Sequence, residues 1–261
     1  MILNMRPRIM PCLLISDSLL VKPYKFKNPS YVGDPLNAIK IFNDKEVDEL
    51  ILIDIDSTVN HQEPKYDLIK SVAQSCFMPL CYGGGINKLE QATEIFNSGV
   101  EKISINAGLY SHPGLVSQIA KIYGSQSVVA SIDVKKNIWK KDIAYINKGT
   151  VAINEDLISY VKRIENEGAG EILLTSIEKE GTWNGYDLEL INKISTIVKI
   201  PVIANGGAGS IEDFRKAYHA GASAMAAGNM FVYIKKGMGV LISFPYKKDL
   251  DSIFKEEVNN E

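Results

Sequence analysis

Pro79-Leu80-Cys81-Tyr82-Gly83-Gly84-Gly85-Ile86 and Pro201-Val202-Ile203-Ala204-Asn205-Gly206-Gly207-Ala208-Gly209 open two stretches that pass through one succession of features. Each begins at a proline, runs apolar, and breaks at adjacent glycines. Helical spacing follows, over Leu89 to Ser98 in one stretch and Ile211 to Ala220 in the other, and then a single glycine, Gly99 or Gly221. The stretches close on Ser104-Ile105-Asn106 and Ala227-Gly228-Asn229. Such a repeat in the two halves of a chain predicts two similar half-barrels facing each other.

Outward from the repeat, short β-branched runs alternate with segments of helical periodicity, the pattern of βα units around a parallel sheet. The runs lie near Arg8 to Ile15, Glu49 to Ile55, Met78 to Tyr82, Lys102 to Ile105, Ser127 to Asp133, Glu171 to Ser176, Pro201 to Ala204 and Ala222 to Ala227. Helical segments include Pro35 to Phe42, Pro113 to Tyr123, Glu155 to Glu167 and Tyr186 to Val198. Eight strands predict an α/β fold, a closed (β/α)8 TIM barrel, in one domain over residues 1–261. The charged tail from Lys247 to Glu261 is expected to fray at its last residues. Ser16 to Asp34, with Lys22, Lys25 and Lys27, reads as a long first loop able to act as a lid.

A formal net charge of -2 and 23% charged residues give no reason to expect nucleic acid or a membrane as partner, and favour a small molecule or another protein. Cys12, Cys76 and Cys81 are odd in number and lack metal-ligand spacing, so no disulfide framework, metal or cofactor is expected. Met1 to Pro11 holds no apolar stretch of leader length, and a cytoplasmic location follows. His61, His112 and His219 are scattered without ligand spacing, and Trp139 and Trp183 fall in loops where packing is the simpler role.

Glycines between a strand and a helix let the backbone approach a ligand, and the helix start offers unpaired N–H groups. Gly84 and Gly85 with Asn106 form one such phosphate site, and Gly206 and Gly207 with Gly228 and Asn229 form the other. A ligand phosphorylated at both ends would span the mouth between them. The plainer alternative, glycines serving only tight turns, weakens when the pattern occurs twice.

These residues, together with Arg8-Ile9-Met10-Pro11-Cys12-Leu13, Asp48-Glu49-Leu50, Lys102-Ile103-Ser104-Ile105-Asn106, Gly124-Ser125-Gln126 and Gly168 to Ile177, resemble the cyclase subunit of imidazole glycerol phosphate synthase. The resemblance runs in order from about Arg8 to Phe231. It implies a histidine-pathway barrel in which ammonia from a glutaminase, docked at the N-terminal face, travels along the axis to a substrate bearing two phosphates. It also implies two catalytic aspartates. One matches Asp133, but the other, on the first strand, is replaced: Cys12-Leu13-Leu14-Ile15 stands where the family has Cys-Leu-Asp-Val. Asp17 is offset by three and is not expected to substitute. Glu178-Lys179-Glu180-Gly181-Thr182 replaces Asp-Arg-Asp-Gly-Thr, and Ala107 replaces a threonine. Lys22 matches a loop lysine implied to contact substrate, a solvated lysine being the alternative.

The ring of charges implied to close the family's ammonia entrance matches in full, at Arg8, Glu49, Lys102 and Glu171. A retained gate beside altered chemistry resembles a subgroup implied to supply ammonia for acetamidino modification of a surface-polysaccharide sugar, with a sugar amidotransferase as third partner. Lys25-Phe26-Lys27-Asn28-Pro29, Cys76 to Gly85 and Phe244-Pro245-Tyr246 carry that finer likeness. The alternatives are a working histidine-pathway cyclase and a scaffold that only activates its glutaminase.

Overall fold

A strand that is apolar on both faces is stable only where both faces are covered. Leu50, Ile51 and Leu52, successive residues with none of their surface exposed, show that double cover. The structure, a computed structural model, describes residues 6–255. Its strands are β1 (Arg8–Ser16), β2 (Leu19–Tyr24), β3 (Lys27–Gly33), β4 (Leu50–Asp54), β5 (Leu80–Gly83), β6 (Lys102–Ile105), β7 (Val128–Lys136), β8 (Asp142–Ile146), β9 (Val151–Ala152), β10 (Glu171–Ser176), β11 (Val202–Asn205) and β12 (Ala224–Ala227). Eight of them, in the order β1-β4-β5-β6-β7-β10-β11-β12, pair in parallel, and the pairing of β12 with β1 closes the ring. The protein is a (β/α)8 barrel.

Helices Pro35–Asp44, Tyr66–Ser75, Leu89–Asn97, Leu115–Tyr123, Leu157–Asn166, Leu188–Ser195 and Ile211–His219 cover the outside. Asp34 and Asp156 cap two of them by accepting from Asn37 N–H and from Ile158 and Ser159 N–H, which fixes where those helices begin. The outward faces of the strands join the helices in one large core, while Met10, Ile51, Cys81, Val129, Leu173 and Ala224 belong to a separate core inside the barrel. No helix among the described residues is long and apolar enough to cross a membrane.

One sequence expectation changes, and two elements were unread in the sequence. The stretch from Ser16 to Asp34 is an ordered β-hairpin, in which β2 pairs antiparallel with β1 and β3 extends it. A second hairpin, β8–β9, continues from β7 in the same way. The charged tail forms a helix, Lys247–Lys255, anchored by fully buried Leu250 and by Phe254 edge-on to Tyr218 at 5.6 Å; the last residues expected to fray lie outside the described residues.

The half-barrels repeat at the level of contacts. A Cβ built on Gly85 would lie 3.0 Å from Ser57 Cβ, and one on Gly207 the same 3.0 Å from Lys179 Cβ. Gly84 abuts the Asp54 carbonyl as Gly206 abuts that of Ser176. At Gly84 the φ of +115° excludes ordinary side chains, and an added Cβ would overlap Asp54 O. Gly84→Ala is expected to cost about 3 kcal/mol in urea unfolding, against about 1 kcal/mol for Gly114→Ala. Gly114 shares the positive φ, at +85°, but has nothing within 4 Å.

Candidate active site

Arg8, Lys102 and Glu171 are the first residues of β1, β6 and β10, and Glu49 immediately precedes β4, so all four side chains meet at the N-terminal end of the axis. Arg8 reaches Glu49 and Glu171 at 2.5 Å each, and Lys102 reaches the same two carboxylates at 3.0 and 3.1 Å. The charges alternate around a closed ring. Burial pulls the Arg8 guanidinium down, but Glu171 and Glu49 outweigh it and hold it above its ordinary value. Glu49 Oε1 is buried and has no hydrogen-bond partner among the described residues.

At the other end, β7 brings Asp133 level with Thr175 of β10. Asn106 Nδ2 donates to Asp133 Oδ2 at 3.2 Å and to Ser131 O at 3.0 Å. Burial pushes the Asp133 carboxyl up to about 7; the Thr175 hydroxyl opposes the rise and the Glu180 charge adds to it. Leu14 and Ile53 line the same cavity and present only carbon to it. Asp17 lies exposed in the β1–β2 turn with φ 48° and does not line the cavity. None of His61, His112 and His219 lines it either, and Trp139 is 79% exposed on the β7–β8 hairpin.

The candidate phosphate residues come together in two groups, each already engaged in packing. Gly85 N–H donates to Thr58 Oγ1 at 3.0 Å, and Asn106 turns its amide toward Asp133. Gly207 C=O accepts from Gly185 N–H at 2.9 Å. Asn229 Nδ2 donates to Gly181 O at 3.3 Å, while its Oδ1 is buried without a partner among the described residues. Gly228 lies directly under Lys22 Nζ, where a Cβ would overlap the ammonium.

Lys22 is not a solvated loop lysine. Its side chain is 5% exposed and forms an ion pair with equally buried Glu180. Lys25 N–H donates to Glu180 O at 3.0 Å, tying the β2–β3 tip to the loop after β10. A second pair was missed from sequence: Lys148 Nζ, on the β8–β9 turn, reaches Asp56 Oδ1 at 2.5 Å. Ser16 Oγ donates to Asp56 Oδ2, also at 2.5 Å. Burial pushes the Asp56 carboxyl up, but the bonds from Lys148 and Ser16 prevail and hold it below its ordinary value. No local signal marks these pairs, whose members stand 158 and 92 residues apart.

An aspartate whose carboxyl rises on folding destabilises the folded form as pH climbs from the usual carboxylate range toward the raised value. For Asp133 that window runs from about 4 to about 7, and the deficit persists above it. Asp133→Asn is therefore expected to equal the parent protein near pH 4 and to exceed it by on the order of 2 kcal/mol above pH 7, in urea unfolding followed across pH.

Residues 8–236 match the family described as histidine biosynthesis protein. A Pseudomonas aeruginosa protein provisionally named imidazole glycerol phosphate synthase subunit hisF2 is 49% identical over 247 residues, covering 94% of this chain and 98% of its own. A Leptospira borgpetersenii protein provisionally named imidazole glycerol phosphate synthase subunit HisF is 44% identical over 252 residues, with 96% and 99% covered. The imidazole glycerol phosphate synthase subunit HisF of Endomicrobium trichonymphae is 39% identical over 226 residues, 87% of either chain. With the barrel, the charged ring and the paired glycine turns, these matches establish that the chain belongs to the histidine biosynthesis protein family.

Proposed function

We propose that this barrel takes ammonia from a glutaminase subunit at its N-terminal face, passes it along the axis and delivers it at the mouth for acetamidino modification of a surface-polysaccharide sugar. The observation that carries the reading is the complete ring of Arg8, Glu49, Lys102 and Glu171 beneath a mouth that has Leu14 where the family's first-strand acid belongs. Buried ion pairs contribute little net stability, so stability alone is a weak reason to keep four of them. Ammonia donates hydrogens, and the unpartnered Glu49 Oε1 offers it an acceptor at the entrance. Above the ring, Met10, Ile51, Cys81 and Val129 make an apolar axis that neutral ammonia crosses at far lower cost than ammonium.

Asp133 is an acid–base group at the mouth, with its carboxyl near the pH where proton transfer works best. A phosphorylated small molecule would rest on Gly84, Gly85 and Asn106 at one end and on Gly206, Gly207, Gly228 and Asn229 at the other, with Lys22 above. A sugar amidotransferase would consume the ammonia. The second reading, a histidine-pathway cyclase, is favoured by the same Asp133 together with buried Glu180, a carboxylate close enough to raise it.

Ammonia-dependent turnover of the histidine-pathway bisphosphate separates the two. The protein itself is expected to give none, and Leu14→Asp to gain it. Turnover by the unaltered protein, abolished in Asp133→Asn, overturns the proposal and makes this a working cyclase. In the Leu14→Asp background with the glutaminase present, Lys102→Met is expected to cut glutamine-driven turnover on the order of tenfold relative to turnover with added ammonia, by opening the ring to leakage.

A further inference from the structure

Two ion pairs cross the mouth in one pattern. The hairpin that follows β1 sends Lys22 to Glu180 on the loop after β10. The hairpin that follows β7 sends Lys148 to Asp56 on the loop after β4. β1 and β7 face each other across the ring, as do β4 and β10. The pairs are thus related by the half-turn that relates the glycine turns.

Each pair sits over the glycine turn of one half. Beside Asp56, Ser57 packs on Gly85 and Thr58 accepts from its N–H. Glu180 Oε2 lies 3.5 Å from a Cβ built on Gly206, and Lys22 Nζ rests on Gly228. All four charged residues line the mouth or bond across it. An ammonium withdrawn from water needs an anion beside it at all times. Glu180 fills that need for Lys22, and Asp56 holds the more exposed Lys148 in the same way. A phosphate brings more charge and more acceptor oxygens than a carboxylate and competes for the same cation.

We propose that Lys148 is an anion anchor equivalent to Lys22, and that Asp56 and Glu180 hold the two lysines until phosphate groups of a ligand displace them. The ligand is then a small molecule with a phosphate at the Gly84–Gly85 end and a second anionic group at the Gly206–Gly207 end. This rests on the reading of the mouth as a phosphate site and is independent of the ammonia route. The side chains of Lys148 and Asp56 are 33% and 12% exposed, against 5% for both Lys22 and Glu180, so the Lys148 half exchanges first.

The test is a titration of the full-length protein with inorganic phosphate, read by amide NMR at Gly84 and Gly85 for one half and at Gly207 and Gly228 for the other. Lys148→Met is expected to weaken binding at Gly84 and Gly85 on the order of tenfold. Asp56→Asn is expected to strengthen it, and both leave the other half unchanged. A latch that only braced the hairpin would lose the same contact in either variant and shift both in the same direction. Shifts of one sign, or no titration at Gly84 and Gly85 in the parent protein, overturn the proposal. Either result leaves ammonia delivery standing, because turnover with glutaminase is measured without free phosphate.

Discussion

Side chains alternate along a strand with period two, and closing the sheet turns that alternation into ladders that climb from the bottom of the barrel to the mouth. On β1 the inward ladder is Arg8, Met10, Cys12 and Leu14; on β10 it is Glu171, Leu173 and Thr175. On β6 Lys102 leads through Ser104 to Asn106, and on β7 Val129 leads through Ser131 to Asp133. One parity choice therefore places the charged ring, the apolar axis and the mouth. A slip of one residue at the β6–β7 pairing, where Ser104 meets Val129, would turn Asp133 into the helical layer and Ile132 into the cavity.

The parts of this arrangement that follow from parity were legible in the sequence. Lys102–Ile105 and Glu171–Ser176 are strands with the bounds that their β-branched runs predict, and the paired glycine stretches do mark two similar halves. Elements with thin apolar content were harder to read. Tyr66–Ser75 buries only Ile69 and Val72, and Lys247–Lys255 only Leu250, so periodicity gives little against their many polar residues. The hairpins escaped for another reason: Lys27 to Tyr31 in β3 are all exposed, and a strand held by its neighbour's backbone needs no hydrophobic signature. The mouth pairs join loops remote in sequence, and no window of residues contains both partners.

The two ends of the barrel tolerate substitution differently. At the bottom two cations balance two carboxylates, so substitution of any one leaves a net charge in the ring and is costly. At the mouth, an exchange of an acid for Leu14 or of a hydroxyl for Ala107, as the sequence resemblance implies, would remove polar groups without leaving a buried charge unpaired. Replacement of that kind is physically cheap, and it would alter what the mouth can do to a ligand while the strands beneath keep their geometry.

Connectivity also separates the charges that persist from those that can exchange. In the bottom ring both cations touch both carboxylates, so breaking any one of the four contacts leaves every group still paired through the others. A small molecule can pass one edge of such a ring while the remaining three hold it. Lys22 and Lys148 instead each have one carboxylate partner among the described residues, Glu180 and Asp56. Breaking that single contact releases the lysine entirely, which for buried Lys22 is tolerable only if another anion takes it up. Connectivity of this kind would let the ring open without coming apart, and would let the mouth pairs change partners, as both proposals require.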